Sequence, residues 1–392
     1  YFILIMRNQV MFLFILIILF GCSQINSNVE YSFEEKVWND RIDAAFSESD
    51  CPIVKDRNLP NEYYNGPMID THIHIPHIPD ASPYQEIDDD IENSIIPSMG
   101  VNVNIDDYLC MMNHENTSKV FAFFPVWEPI TPQLLEVVNK TMLKYPDRFV
   151  PFIMPSDGDN DLDGFPTVES EELNKMLNVY PDLFSGYGEI GLYARKNIGG
   201  VRIGAEELLP DSERLKNIYP VLKKHNLLVY FHLGEDHKDN FENVLRENPD
   251  INFIWHGGQL IPFHEESGER NMSLLDEVLY DHPNAFYGVD ELYGGEWLLH
   301  PDVSKEQFLN YFKDSEKLLE KDLHVWKDFI ERHPDQVLWG TDRGWSPTWS
   351  VDPEVAITLN NYTRAFIGRL DPAVQEKIAY KNAERLLQKN GK

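Results

Sequence analysis

Met68-Ile69-Asp70-Thr71-His72-Ile73-His74 is an apolar stretch that carries an Asp-x-His-x-His pattern. Read as a β-strand, it alternates its side chains between two faces, so His72 and His74 point the same way about two residues' rise apart. Two buried imidazoles side by side need a partner, and imidazole suits zinc and its neighbours. Four more metal-competent residues follow in order. They are Glu189 in Gly-Tyr-Gly-Glu-Ile-Gly-Leu, His232 in Val-Tyr-Phe-His-Leu-Gly, His256 in Phe-Ile-Trp-His-Gly-Gly, and Asp342 in Val-Leu-Trp-Gly-Thr-Asp. Each lies at or near the C-terminal end of a short apolar run bounded by glycine. A single histidine in such a place is ordinarily a core residue, and a single acid ordinarily caps the next helix. Repetition of the placement is what points to a metal centre.

Working outward from that strand, short apolar runs alternate with helical stretches. Strands are expected at Pro67–His74, Lys119–Val126, Phe149–Pro155, Gly186–Leu192, Leu227–Leu233, Ile251–His256, Ala285–Asp290 and Gln336–Asp342. Helices are expected at Ile105–Asn116 behind an N-cap at Asn104, then at Pro132–Lys144, Glu169–Val179, Asp211–His225, Asn240–Glu247, Ser273–Tyr280 and from Lys305 to Glu331. Alternation of this kind with a final helical pair predicts an α/β chain folded as a (β/α)8 TIM barrel. Active sites of that architecture sit at the C-terminal ends of the strands, where all six candidates fall. A doubly wound sheet would need a glycine-rich turn after its first strand, and Ile75-Pro76-His77-Ile78-Pro79 has two prolines and no glycine.

The 392 residues are 42% hydrophobic and 12% aromatic, enough for a sizeable core, and the formal net charge of -31 repels phosphate backbones. No Lys/Arg cluster compensates, so nucleic acid is not an expected partner. Near the N-terminus, Arg7 precedes an apolar run from Val10 to Phe20 that ends in Leu19-Phe20-Gly21-Cys22. The run is too short for a membrane span and reads as a secretory signal. Its ending resembles a bacterial lipobox, which implies lipidation at Cys22 and attachment to a membrane of the bacterial cell envelope. The expected organisation is a signal peptide at 1–21, a tether and extension at 22–66, and the barrel at 67–392. Cys51 and Cys110 remain in the mature chain, and their spacing leaves open whether they pair.

The series from Asp70-Thr71-His72-Ile73-His74 to Asp342, with the tail Lys381-Asn382-Ala383-Glu384-Arg385-Leu386-Leu387, resembles the amidohydrolase superfamily, in particular its amidohydrolase-related branch. The resemblance implies a distorted barrel, one or two divalent metals with zinc foremost, and a metal-activated water. By it, His72, His74, His232 and Asp342 hold the catalytic metal, and His256 either binds a second ion or hydrogen-bonds the reacting oxygen. Where many two-metal members carry a carboxylated lysine, this chain has Glu189. The Gly-Glu-Ile-Gly-Leu string is similar to metal-dependent deoxyribonucleases of the superfamily, in which such a Glu bridges two ions. A single-metal site with Glu189 facing substrate is the other reading.

The leading expectation is a hydrolase acting on a small organic amide, lactone or ester, with Asp342 as general base and His256 helping to polarise the carbonyl. A decarboxylase of the same branch is the first alternative, disfavoured because Glu189 would repel a carboxylate substrate. A non-catalytic ligand-binding lipoprotein is the second. Neither a Gly-x-Ser-x-Gly elbow nor a phosphate-binding loop is present. The loops expected to wall the pocket carry Tyr84, Tyr293, Trp297, Trp345 and Trp349, with Arg343 as a cation for an anionic or carbonyl group. Asp70 either orients an imidazole or fills the polar floor of the barrel. Oligomeric state is not legible.

Overall fold

The computed structural model describes residues 63–75, 104–155, 165–193, 207–234, 236–257, 271–290, 303–344 and 348–389, together with 36, 39–40, 42–43, 45–52, 197–198, 201–202, 260–261, 263–264, 269–270 and 292. The signal segment, Cys22, Tyr84, Tyr293, Trp297 and Trp345 lie outside the described residues. The chain divides into two units, 1–38, of which only Lys36 is described, and 39–392.

Eight parallel strands form the larger unit's sheet: β1 Met68–His74, β2 Thr117–Pro125, β3 Phe149–Met154, β4 Gly186–Gly191, β5 Leu228–His232, β6 Phe253–His256, β7 Ala285–Val289 and β8 Val337–Trp339. They neighbour one another in sequence order, β1 to β8. The last strand has three residues, so closure onto β1 runs through the segment beyond it. Ile73 bridges Arg343 in parallel, the Thr71 hydroxyl donates to the Trp339 carbonyl at 2.8 Å, and the His74 amide donates to the Arg343 carbonyl at 2.7 Å. All seven residues of β1 and all six of β3 are buried, as strands covered on both faces require. Two antiparallel ribbons, Asn197–Ile198 with Val201–Arg202 and Phe263–His264 with Glu269–Arg270, lie outside the barrel sheet.

The helices begin where local chemistry starts them. In α1, Ile105–Glu115, Asn104 and Asp107 form a capping box and Asn116 ends the helix in the left-handed region. Pro132 opens α2, Pro132–Lys144, in the first helical turn. Ser170–Val179, Glu213–Lys224, Lys238–Glu247 and Ser273–Asp281 follow as α3 to α6. The single helix expected from Lys305 to Glu331 is two, α7 Lys305–Tyr311 and α8 Ser315–Arg332, joined by a 3-10 turn at Phe312–Asp314. The closing pair is α9, Pro353–Ile367, and a second arm made of α10 Pro372–Glu376, a π turn Lys377–Lys381 and α11 Asn382–Lys389.

The core column starts beneath β1's histidines and ends on α11. Phe121, Phe123, Phe152, Tyr230, Ile254, Phe286 and Leu338 pack in one cluster with Ala383, Leu386 and Leu387. Each fully buried aromatic of this kind contributes roughly 1.5–3 kcal/mol. Gly186 is required there, because a Cβ would enter the Phe152 ring. Asn382 fixes the floor by donating to the carbonyls of Pro334 and Val337 at 3.0 and 2.8 Å. Thus the C-terminal string closes the end of the barrel opposite the histidines.

Candidate metal centre

The strand ends bring the six sequence candidates together. His74, His232 and His256 are the last residues of β1, β5 and β6, Glu189 lies in β4, and Asp342 stands three residues beyond β8. Parallel pairing sets the register directly, with His232 opposite His256 and Gly191 opposite His232.

Glu189 is the centre of the arrangement. Its Oε1 lies 2.6 Å from His256 Nε2 and 2.9 Å from His232 Nδ1, while its Oε2 lies 3.3 Å from His72 Nε2 and 3.5 Å from His74 Nε2. Asp342 Oδ1 shares the second pair, 3.0 Å from His74 Nε2 and 3.3 Å from His72 Nε2. Asp290, just past β7, supports from below: its Oδ2 lies 3.1 Å from His72 Nδ1 and 2.7 Å from His256 Nδ1. With both Nδ1 atoms turned to Asp290, the Nε2 atoms of His72 and His256 face Glu189, the orientation that presents a nitrogen lone pair to a cation. The His72, His74 and His256 side chains are nearly sealed, whereas Glu189, Asp342 and His232 are 11%, 15% and 23% exposed and line the open side.

The groups set one another's charge. Burial works against ionisation of Glu189, but His256, His232 and His72 overcome it and hold its carboxyl well below the usual range. Asp342 is likewise held low against burial by His72 and His74, and Asp290 by His256 and His72. Burial would lower His72, yet Asp342, Asp290 and Glu189 push it up to about 9. Asp290 and Glu189 raise His256 well above its ordinary value against burial, whereas burial and the neighbouring His256 lower His232. Three ionised carboxylates therefore gather beside four imidazoles, a donor set that suits a divalent cation. Ligand atoms of His72, His74, Glu189 and Asp342 lie within 4.8 Å of one another, as do those of Glu189, His232 and His256, and those of His72, His256, Asp290 and Asp342.

Several placements depart from the sequence reading or extend it. Arg343, expected as a cation facing substrate, is 1% exposed and turned inward, its Nη2 lying 2.6 Å from Glu115 Oε1. The reason is the turn: Asp342 has φ 49° and Gly344 φ 104°, so consecutive side chains leave on opposite sides. Among the described residues Asp70 bonds to no imidazole; it accepts the His72 amide at 3.0 Å and the Thr341 amide at 3.1 Å. Trp349 packs on Phe308 with ring centroids 5.2 Å apart and donates to the Val303 carbonyl at 3.0 Å. Asp290 is the residue that sequence reasoning passed over, although an acid at the end of an apolar strand was the signal used for the others. Tyr230 adds a hydroxyl 3.4 Å from His72 Nδ1, and the Tyr193 ring lies against His232, tilted, with centroids 4.5 Å apart.

A barrel whose strand ends gather buried acids and imidazoles defines the class: a parallel α/β barrel with a candidate metal centre at its mouth. The family model described as Amidohydrolase matches residues 69–389, and the chain belongs to this amidohydrolase-2 family. Its members are metal-dependent enzymes, hydrolases or decarboxylases. None of the curated proteins matches the chain. Among solved structures it is similar to a probable 2-pyrone-4,6-dicarboxylic acid hydrolase of Acinetobacter baumannii with citric acid bound, at 12% identity and a TM-score of 0.45, over 82% of this chain and 99% of that one. A 2,6-dihydroxybenzoate decarboxylase of Rhizobium aligns at 14% identity and a TM-score of 0.43, over 82% and 98%. An amidohydrolase of Burkholderia multivorans with bound HEPES aligns at 11% identity and a TM-score of 0.48, over 82% and 99%.

Proposed function

We propose that the chain is a metal-dependent hydrolase that cleaves a small amide, lactone or ester, with zinc as the first candidate ion. The observation that carries this reading is Glu189, whose two oxygens face different pairs of imidazoles. One set, His72, His74, Asp342 and Oε2, and a second, His232, His256 and Oε1, would hold two ions with Glu189 between them. This differs from the sequence reading, which grouped His232 with the first set. A carboxylate at the centre also disfavours a substrate that must bring its own carboxylate there, which weighs against decarboxylation.

Divalent ions held in these sets would supply Lewis acidity, polarising a carbonyl and making water acidic enough to lose its proton near neutral pH. The chain's own contribution is to move that proton. Asp342 is ionised, partly open and fixed against His72 and His74, so its carboxylate takes a proton from water and returns it to the leaving group. His256 has both nitrogens engaged, by Asp290 and Glu189, which supports a ligand in preference to a free donor for the reacting oxygen. Asp290 holds two imidazoles in one tautomer and orientation.

The envelope lipoprotein reading stands beside this as a proposal about place. It is supported by the Leu19-Phe20-Gly21-Cys22 ending and by the Cys51–Cys110 disulfide, a bond that persists in oxidising compartments.

Metal content of purified protein, measured with a lactone, amide and ester panel, tests the function. Two ions per chain and turnover of one class are expected, falling to one ion in Glu189→Gln. Asp342→Asn should lower kcat by roughly 10²- to 10⁴-fold while KM changes far less. Near-normal kcat in that variant would move the proton-handling role to another group.

A further inference from the structure

The turn that presents Asp342 is gripped from behind by buried charges for which hydrolysis has no direct use. Asp342 at φ 49° occupies a left-handed conformation that residues other than glycine seldom adopt. Both of its neighbours are tied down. Thr341 donates its amide and its hydroxyl to Asp70, at 3.1 and 2.6 Å. Arg343 donates from Nε to the Thr341 hydroxyl at 2.9 Å, and its Nη2 lies 2.6 Å from Glu115 Oε1 and 3.5 Å from Asp70 Oδ2. One residue further, the Gly344 carbonyl accepts the Tyr108 hydroxyl at 3.1 Å. A Cβ on Gly344 would run into the His74 carbonyl, so the turn lies directly on the strand that carries the histidine pair.

Asp70, Glu115, Arg343 and Tyr108 are each at most 1% exposed. Charges so buried pay a desolvation penalty that an apolar cluster of the same volume avoids, so stability alone does not account for them. What they share is direction. Glu115 and Tyr108 come from α1, whose residues are not among the candidate ligands, and they reach the two residues that follow Asp342, Glu115 at Arg343 and Tyr108 at Gly344. Asp70 joins the residue before Asp342 to the His72 amide.

We propose that Glu115 and Arg343, with Asp70 and Tyr108, are positioning residues that hold the Asp342 carboxylate against the Nε2 atoms of His72 and His74. The inference rests on the reading of Asp342 as a metal ligand and proton carrier. Glu115 and Arg343 act through Asp342 and touch neither ion nor substrate.

Cobalt(II), added to chelator-treated full-length protein and followed by its visible spectrum, provides the test without any need for a substrate. Glu115→Gln should weaken cobalt binding roughly 10- to 100-fold, as loss of a group supporting a metal ligand does, and should alter the spectrum. Tyr108→Phe keeps the ring and removes one hydrogen bond, so it should weaken binding in the same sense by about fivefold. In an Asp342→Asn background both substitutions should have little further effect, because the residue they act through is already disabled. Thermal unfolding confirms that each variant is folded, and Tyr108→Phe decides the matter if Glu115→Gln is not. Equal losses with and without Asp342, or unchanged binding in both single variants, would overturn the positioning role while leaving the ligand reading intact. Unchanged cobalt binding in Asp342→Asn alone would overturn the ligand reading and this inference with it.

Discussion

Loading this site with metal has to expel protons, and the geometry indicates from where. Burial works to lower the pKa of His72, but Asp342, then Asp290 and Glu189, push it from 6.5 up to about 9. At pH 7 the metal-free imidazole therefore holds its proton, and displacing it costs roughly 100-fold in affinity. His256, raised well above its ordinary value by Asp290 and Glu189 against burial, supplies a second proton, while His232, lowered by burial and by His256, supplies none. Apparent metal affinity should thus rise with pH between 7 and 9, by about tenfold per unit for each proton released. Stability of the metal-free protein should move the opposite way. A base whose pKa is raised on folding stabilises the fold fully below its unfolded value of 6.5, and that contribution is lost as pH rises through about 9. Raising His72 from 6.5 to about 9 amounts to about 3 kcal/mol. Calorimetric titration in buffers of different ionisation enthalpy counts the protons, and melting curves of chelated and loaded protein from pH 6 to 9 give the two stability trends. Release of no protons, with affinity flat across that range, would show that the imidazoles are not displaced by metal and would refute the ligand assignment.

Gly344→Ala should destabilise the protein by about 2 kcal/mol or more, measured by denaturant unfolding, because φ 104° and the nearby His74 carbonyl both exclude a Cβ; wild-type stability would show that the turn relaxes freely. Cys22→Ser should release the protein from membrane fractions or leave its precursor uncleaved, as read by fractionation and mass of the N-terminal fragment. Normal processing and anchoring of that variant would end the lipoprotein proposal.

The candidate residues were legible because they obey a local rule: in a parallel barrel the C-terminal ends of the strands gather at the mouth, so apolar runs with His, Glu or Asp at or near that end announce themselves. Asp290 obeys the same rule: it ends the run Ala285–Asp290 and was read there only as the close of a strand. Helix starts were legible where a cap or proline fixed them, as at Asn104 and Pro132. The break at Phe312–Asp314 was not, because apolar residues on both sides of it, Phe308, Phe312 and Leu319, keep a helical spacing while the chain tightens by a turn. Arg343 was misread for a related reason. Adjacency to a site residue gives position along the chain, whereas direction depends on a left-handed backbone that nothing in the tripeptide Asp342-Arg343-Gly344 except its glycine signals. Its partner Glu115 lies far away in sequence, on a helix whose visible pattern concerns only capping and packing.

Glu115 also shows why such support escapes a reading based on stability. Burial pushes its carboxyl up to about 7, with Arg343 working the other way. An acid raised on folding helps the folded state below its unfolded pKa and ceases to help as pH rises through the folded one. Above about pH 7 the ionised Glu115 is thus a net cost to the fold even with a guanidinium beside it. Asp70 follows the same pattern, its carboxyl raised by burial despite Arg343 and Thr341. Leu, Met or Val at such positions would pack without that cost. Hydrophobic contacts, however, are non-directional and cannot hold Thr341, Arg343 and Gly344 in the one conformation that turns Asp342 toward the histidines. Directional bonds can: Thr341 to the Asp70 carboxylate, Arg343 Nε to the Thr341 hydroxyl, and the Tyr108 hydroxyl to the Gly344 carbonyl.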